Sequence, residues 1–172
     1  NQELRRYVTG GVWLSAAIAL MMTTAMAASC DGILTAMNTP GDIYQQAYAY
    51  IQTIFLGLPA YVLYNFCAGV LRSLGDSRTP VIWLVAASLT NIVLDIVFIL
   101  TFQMDVFGAA LATVLSQALA GAGCLIRLVR GYPVLKTERA DWYPDRGRLG
   151  ELCLMGLPMG LQYSITAIGS VM

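Results

Sequence analysis

Histidine is absent from the sequence. That removes the side chain that titrates nearest neutral pH, and with it the commonest metal-binding nitrogen. Charge is scarce as well. Only 12% of the residues are Asp, Glu, Lys or Arg, against about 25% in soluble domains. The four cysteines, Cys30, Cys67, Cys124 and Cys153, stand far apart in apolar stretches, with no CxxC or CxxxC spacing among them. Such spacing supports neither a zinc site nor a disulfide framework, so the thiols read as small packing residues. No GxxxxGK[ST], GxSxG or metal-ligand cluster occurs, which leaves no handle for those hydrolytic chemistries. The sequence therefore predicts no enzyme and no cofactor, and no nucleic-acid partner is expected.

What it has in quantity is apolar length. Of 172 residues, 58% are hydrophobic, and a spanning helix needs about 20 mostly apolar residues in a row. Five such runs occur: Tyr7–Cys30, Ile43–Leu71, Thr79–Met104, Val106–Ile126 and Leu152–Met172. Long unbroken runs exclude the alternating strands of a membrane barrel, and backbone hydrogen bonding in hydrocarbon requires helices. The fold class is thus an all-α membrane protein, a polytopic helix bundle in contact with lipid. Thr39-Pro40-Gly41-Asp42 reads as a helix start, with Thr39 as N-cap and Pro40 in the first position. Residues 72–78 and 103–105 read as short turns, and Arg127–Glu151 as a long charged connection. The chain opens at Asn1 and stops at Met172 within an apolar run, so it is expected to be a piece of a longer membrane protein.

All ten Lys and Arg residues lie in three places: Arg5 and Arg6, Arg72 and Arg78, and the segment from Arg127 to Arg148. The two intervening turns hold none. Short basic loops stay cytoplasmic, which puts those three regions inside and the Asp31–Asp42 and Met104–Asp105 turns outside.

One charge interrupts the third run. Asp95 sits inside it with Asn91 one helical turn earlier and Ser88 another turn back, so all three share a helix face. A carboxylate within the bilayer costs about 2.5–3.5 kcal/mol on insertion scales, and such residues face a bundle interior or a wet cavity. Oxygens of Asp and Asn suit a hard cation such as Na⁺, whereas a proton needs only the carboxylate. The rival reading is an aspartate that holds helices together. On the fourth run Ala109, Thr113, Ser116 and Ala120 form a face of small residues that permits close approach. Thr113 reads either as a hydroxyl opposite Asp95 or as one bonded to its own backbone. On the second run Pro59, near Gly57, should kink the helix. Asn65 further along it reads equally as a ligand or as an interhelical hydrogen bond. Gly156-Leu157-Pro158 suggests a break in the fifth run.

The segments LPAYVLYNFCAGVLRSLGDSRTP, SLTNIVLDIVFIL and FGAALATVLSQ resemble the multidrug and toxic compound extrusion (MATE) family across essentially the whole chain. The resemblance implies part of a twelve-helix, two-lobe transporter. Residues 1–130 would be four helices of the first lobe, 131–150 a cytoplasmic linker between lobes, and 151–172 the first helix of the second lobe. It further implies an antiporter in the cell membrane that exports cationic and amphipathic organic compounds against an inward Na⁺ or H⁺ gradient. The cation site of one branch of the family falls on Asp95, Asn91 and Thr113, with Asn65 close by; Na⁺ at Asp95 would be the only metal. Lipid-linked glycan flippases share the fold and are the alternative, as is a membrane scaffold that transports nothing.

Overall fold

The computed structural model describes residues 2–132 and, beyond them, 150, 152 and 154. Most of the predicted linker and of the fifth run lies outside the described residues, as do Cys153 and the Gly156–Pro158 break. Four helical stretches are long and apolar enough to cross a membrane: Glu3–Ala28, Tyr44–Ser73, Arg78–Thr101 and Asp105–Gly131. They match the first four runs. Helix α1 spans Gln2–Ala28 and a short α2 spans Cys30–Ala36. The rest is described within the compact unit Ser15–Pro133.

The second run is two helices, α3 (Tyr44–Leu56) and α4 (Leu58–Ser73), meeting at Gly57. Pro59 occupies the first turn of α4, where a missing N–H is harmless but a continuous helix would lose a hydrogen bond. The predicted kink is therefore a break two residues earlier than the proline. The helix start at Thr39–Asp42 is not observed. Asn38 takes a left-handed φ of 50°, and Ile43 N–H bonds to Pro40 O at 3.2 Å, closing a turn. Helix α3 begins only after it, capped by Ile43. Asn tolerates the left-handed region.

Helix α5 runs Arg78–Ile96 and passes directly into a π-turn, Val97–Thr101. Helix α6, Asp105–Gly131, outlasts its predicted span and carries Arg127 and Arg130 within it. It is the centre of the unit, with α3, α4 and α5 all packed mainly against it. Four glycines explain the fit and fix the register. A Cβ on Gly108 would stand 2.9 Å from Phe98 Cβ, and one on Gly123 would strike the Trp83 ring, so α5 and α6 run antiparallel. A Cβ on Gly57 would strike Val114, and one on Gly121 would meet Tyr64 N at 3.3 Å, so α4 and α6 run parallel. The buried face of α6 includes Ala112, Ser116, Ala120 and Cys124, all small. Ser116 and Ala120 are therefore interface residues as predicted. Without a hydrophobic drive between helices in lipid, this close approach supplies the packing energy. The outer side of α5, with Val81, Ile82, Leu89 and Ile92 exposed, is the lipid-facing surface that such a bundle requires.

At the Arg72–Arg78 end, Asp76 gathers four donors. Thr79 gives it the backbone N–H (3.0 Å) and the hydroxyl (2.7 Å). Arg127 gives Nε–H at 3.3 Å and Tyr132 its hydroxyl at 3.5 Å. These hydrogen bonds, led by the Thr79 N–H and with Arg127 beside them, hold the carboxyl below its ordinary range. The turn is thereby tied to the far end of α6. Inside the bundle, the Tyr64 hydroxyl donates to Pro80 O at 3.3 Å and joins α4 to the start of α5. Cys30, Cys67 and Cys124 are buried free thiols, as packing residues should be.

Candidate functional site

The polar seam is built by α5 alone. Ser88 is exposed on it, and Asn91 and Asp95 are half-buried. One atom of each of the latter pair is sealed from solvent with no hydrogen-bond partner among the described residues: Asn91 Nδ2 and Asp95 Oδ1. An unpaired buried polar group costs about 1–3 kcal/mol, so two of them on successive turns of one helix require an explanation. The π-turn begins two residues after Asp95. Single π-turns of this kind frequently sit at functional sites. No residue in Val97–Thr101 signals it in the sequence.

The other candidates are placed unequally. By the antiparallel register, Thr113 on α6 is level with Val93, between Asn91 and Asp95 along the axis. Its hydroxyl donates to Ala109 O at 2.9 Å, the self-bonded state, yet a donating hydroxyl keeps lone pairs to offer. Asn65 stands apart. Its Nδ2 donates to Tyr61 O at 2.8 Å, and the parallel register puts it level with Ala122. Asp95 is level with Leu111, about 16 Å away along the α6 axis. Along the helix axes Asn91, Asp95 and Thr113 share one level and Asn65 lies on another, but Thr113 is exposed on α6 and no hydrogen bond among the described residues joins it to Asn91 or Asp95. Gln117, one turn beyond Thr113, has its Oε1 buried and unpartnered. The sequence offers only its polarity within an apolar run as a signal for it.

The donor set suits a hard monovalent cation. Asp95 Oδ1 is an acceptor with no donor among the described residues, and the Asn91 amide one turn earlier carries both a donor and an acceptor. A carboxylate, an amide oxygen and a hydroxyl are the ligands Na⁺ takes, and a proton would need Asp95 alone. No cluster of His, Cys, Asp or Glu that could hold a transition metal exists among the described residues.

A multi-spanning helical bundle with an unpaired acid at membrane depth is the make-up of a transporter lobe rather than of an enzyme. Comparison with known proteins makes this specific. The MatE family matches residues 1–97. Over 138 residues the chain is 33% identical to the "Probable multidrug resistance protein YpnP" of Bacillus subtilis, covering 80% of this chain and 30% of that protein. It is 26% identical over 151 residues to the "Multidrug export protein MepA" of Staphylococcus saprophyticus, covering 88% of this chain and 33% of that protein. Among solved structures, an inward-facing multidrug resistance MATE family transporter superposes with a TM-score of 0.76 at 30% identity, over 84% of this chain and 33% of that one. The chain belongs to the MATE family, whose members are secondary transporters and not enzymes. It spans about a third of the length of these relatives.

Proposed function

We propose that this chain supplies the ion-coupling site in the first lobe of a multidrug exporter, as part of a longer two-lobe polypeptide. Residues 1–130 contribute four helices of that lobe, 131–150 the linker and 151–172 the opening helix of the second. The basic loops face the cytoplasm, following the partition of Lys and Arg. The cargo is cationic or amphipathic organic compounds, in keeping with the multidrug names of the relatives.

The observation that carries the reading is Asp95 Oδ1, buried without a donor among the described residues. An aspartate retained for packing would spend that oxygen on a neighbouring helix. Asp95 instead keeps it for a ligand that comes and goes. An inward gradient loads the site with Na⁺ or H⁺ and neutralises the carboxylate. Na⁺ draws on Asn91 and Thr113 as further oxygen ligands, while a proton leaves them as spectators. Loading and drug binding then favour different conformations of the lobes. A ligand shifts such an equilibrium only by its difference in affinity for the two states. The buried orphan supplies that difference if closure completes its ligation.

The test is drug efflux by the complete exporter under an imposed Na⁺ or H⁺ gradient, with membrane expression matched. Asp95→Asn is nearly isosteric and should abolish coupled export. Asn91→Ala should weaken it less, since water can replace a neutral ligand, and Thr113→Val least. Export by Asp95→Asn at the wild-type rate would make the aspartate a packing residue and return the site to the scaffold reading.

A further inference from the structure

We propose that the cleft between Trp83 and the last turns of α6 binds the phosphate headgroup of an anionic phospholipid. The cleft has a volume of about 330 Å³ and is lined by Trp83, Gly123, Ile126, Arg127, Arg130 and Gly131. That is within the range of small-ligand pockets, about 300–1,000 Å³. It lies wholly within the unit Ser15–Pro133 and is separate from the Asn91–Asp95 seam. Two of its walls are guanidinium groups, and no acid among the described residues lines it. Asp76, beside Arg127, is already committed to Thr79 and Tyr132.

The two arginines differ in a useful way. Arg127 is oriented, because its Nε–H goes to Asp76 and its guanidinium stands 5.9 Å from the Tyr132 ring centre. Its η nitrogens make no other hydrogen bond or ion pair among the described residues. Arg130 is exposed and makes neither bond nor ion pair among them. A fixed fork beside a free one is suited to a phosphate, which guanidinium groups bind bidentately. Gly123 lets the Trp83 ring lie directly on the α6 backbone, so the floor is an indole at the end of a spanning helix. Amphipathic rings settle at headgroup depth in this way.

A lipid, rather than a free phosphate ion, is favoured by the approach to the cleft. Ile126, one of its walls, is 51% exposed, and Ile82 and Val129, next in sequence to Trp83 and Arg130, are 64% and 61% exposed. The cleft thus opens onto lipid-facing surface, where the acyl chains of a phospholipid can lie along these side chains while its headgroup enters. Basic pockets at the ends of membrane helices recognise anionic headgroups by this combination.

The experiment is native mass spectrometry of the detergent-purified chain, equilibrated in mixed micelles with equal phosphatidylglycerol and phosphatidylcholine. The chain should retain phosphatidylglycerol preferentially. Arg130→Gln should reduce that preference about fivefold, the contribution of one basic residue at an anionic surface. Arg130 has no partner to lose among the described residues, and circular dichroism checks that the variant keeps its fold. Arg72→Gln removes the same charge at the same end of the bundle but outside the cleft, and should leave the preference unchanged. Equal losses from both variants would mean diffuse charge and would overturn the site, as would no loss from Arg130→Gln. Displacement of phosphatidylglycerol by equimolar inorganic phosphate would assign the cleft to the free ion and overturn the lipid.

Discussion

Replacing Asp95 by leucine should make the bundle more stable, not less. Asp95 Oδ1 is buried without a donor among the described residues, and an unsatisfied group of that kind costs about 1–3 kcal/mol. Leucine has nearly the same reach and carries no polar atom. In the absence of coupling ion, Asp95→Leu should therefore gain about 1–3 kcal/mol of unfolding free energy. Asp95→Asn keeps a polar group and should stay within about 1 kcal/mol of wild type. The assay is reversible unfolding in mixed micelles, followed by helical circular dichroism. Repeating it with added Na⁺ separates ligation from packing. A ligand that binds only the folded state adds about 2.7 kcal/mol at one hundred times its Kd. Wild type should gain with Na⁺ and Asp95→Leu should not. A proton-coupled site would show the same contrast against pH instead. If both substitutions lose more than about 1 kcal/mol, the carboxylate is holding helices together and the reasoning from its orphaned oxygen fails.

Gly123→Ala places a Cβ in the Trp83 ring, and overpacking of this sort costs about 1–3 kcal/mol, more than the roughly 1 kcal/mol that alanine gains in helix propensity. A lowered thermal midpoint with a shifted tryptophan emission is expected, and a raised midpoint would refute the contact. Asp76 titrates below the ordinary carboxylate range in the folded state, so its contribution is fully present above that range and is lost as pH falls through the lower folded value. Unfolding curves of wild type and Asp76→Asn should accordingly converge in acid and diverge towards neutral pH; a pH-independent gap would disprove the role given to its hydrogen bonds. Single cysteines in the Asp31–Asp42 and Met104–Asp105 turns should react with an impermeant reagent on intact cells. Reaction in the Arg72–Arg78 turn would reverse the proposed orientation.

The charge-free runs made the four observed spans legible, because length and apolarity are set residue by residue. The break in the second run was legible too, since Pro59 cannot donate and Gly57 is next to it but one. The seam followed from spacing alone, as Asn91 and Asp95 are one turn apart in any helix. Other features were hidden for definite reasons. The Thr39-Pro40 start gave way to a turn because Asn38 reverses the chain just before it. The π-turn has no sequence signature, since Val97–Thr101 reads as ordinary apolar helix. Arg127 and Arg130 looked like loop residues because charge was taken to end the span, yet long basic side chains at a helix end reach out of the membrane. The Asp76-x-x-Thr79 cap was readable, but its partner Arg127 is 51 residues away. The level of Asn65 depended on the α4–α6 register, which two glycine contacts fix and no spacing rule contains.

The central place of α6 has a consequence for biosynthesis. Helices α4 and α5 touch each other little and meet through α6, which is made after both. Its 27 residues take about 1–5 s to synthesise at about 5–20 residues per second. Until that synthesis is complete, the earlier helices lack the surface that unites them. Asn91 and Asp95 then face lipid, or whatever holds the nascent chain, instead of a packed neighbour. The small residues of Ala112, Ser116 and Ala120 thus do more than permit close packing. They mark the moment at which the growing chain becomes a bundle.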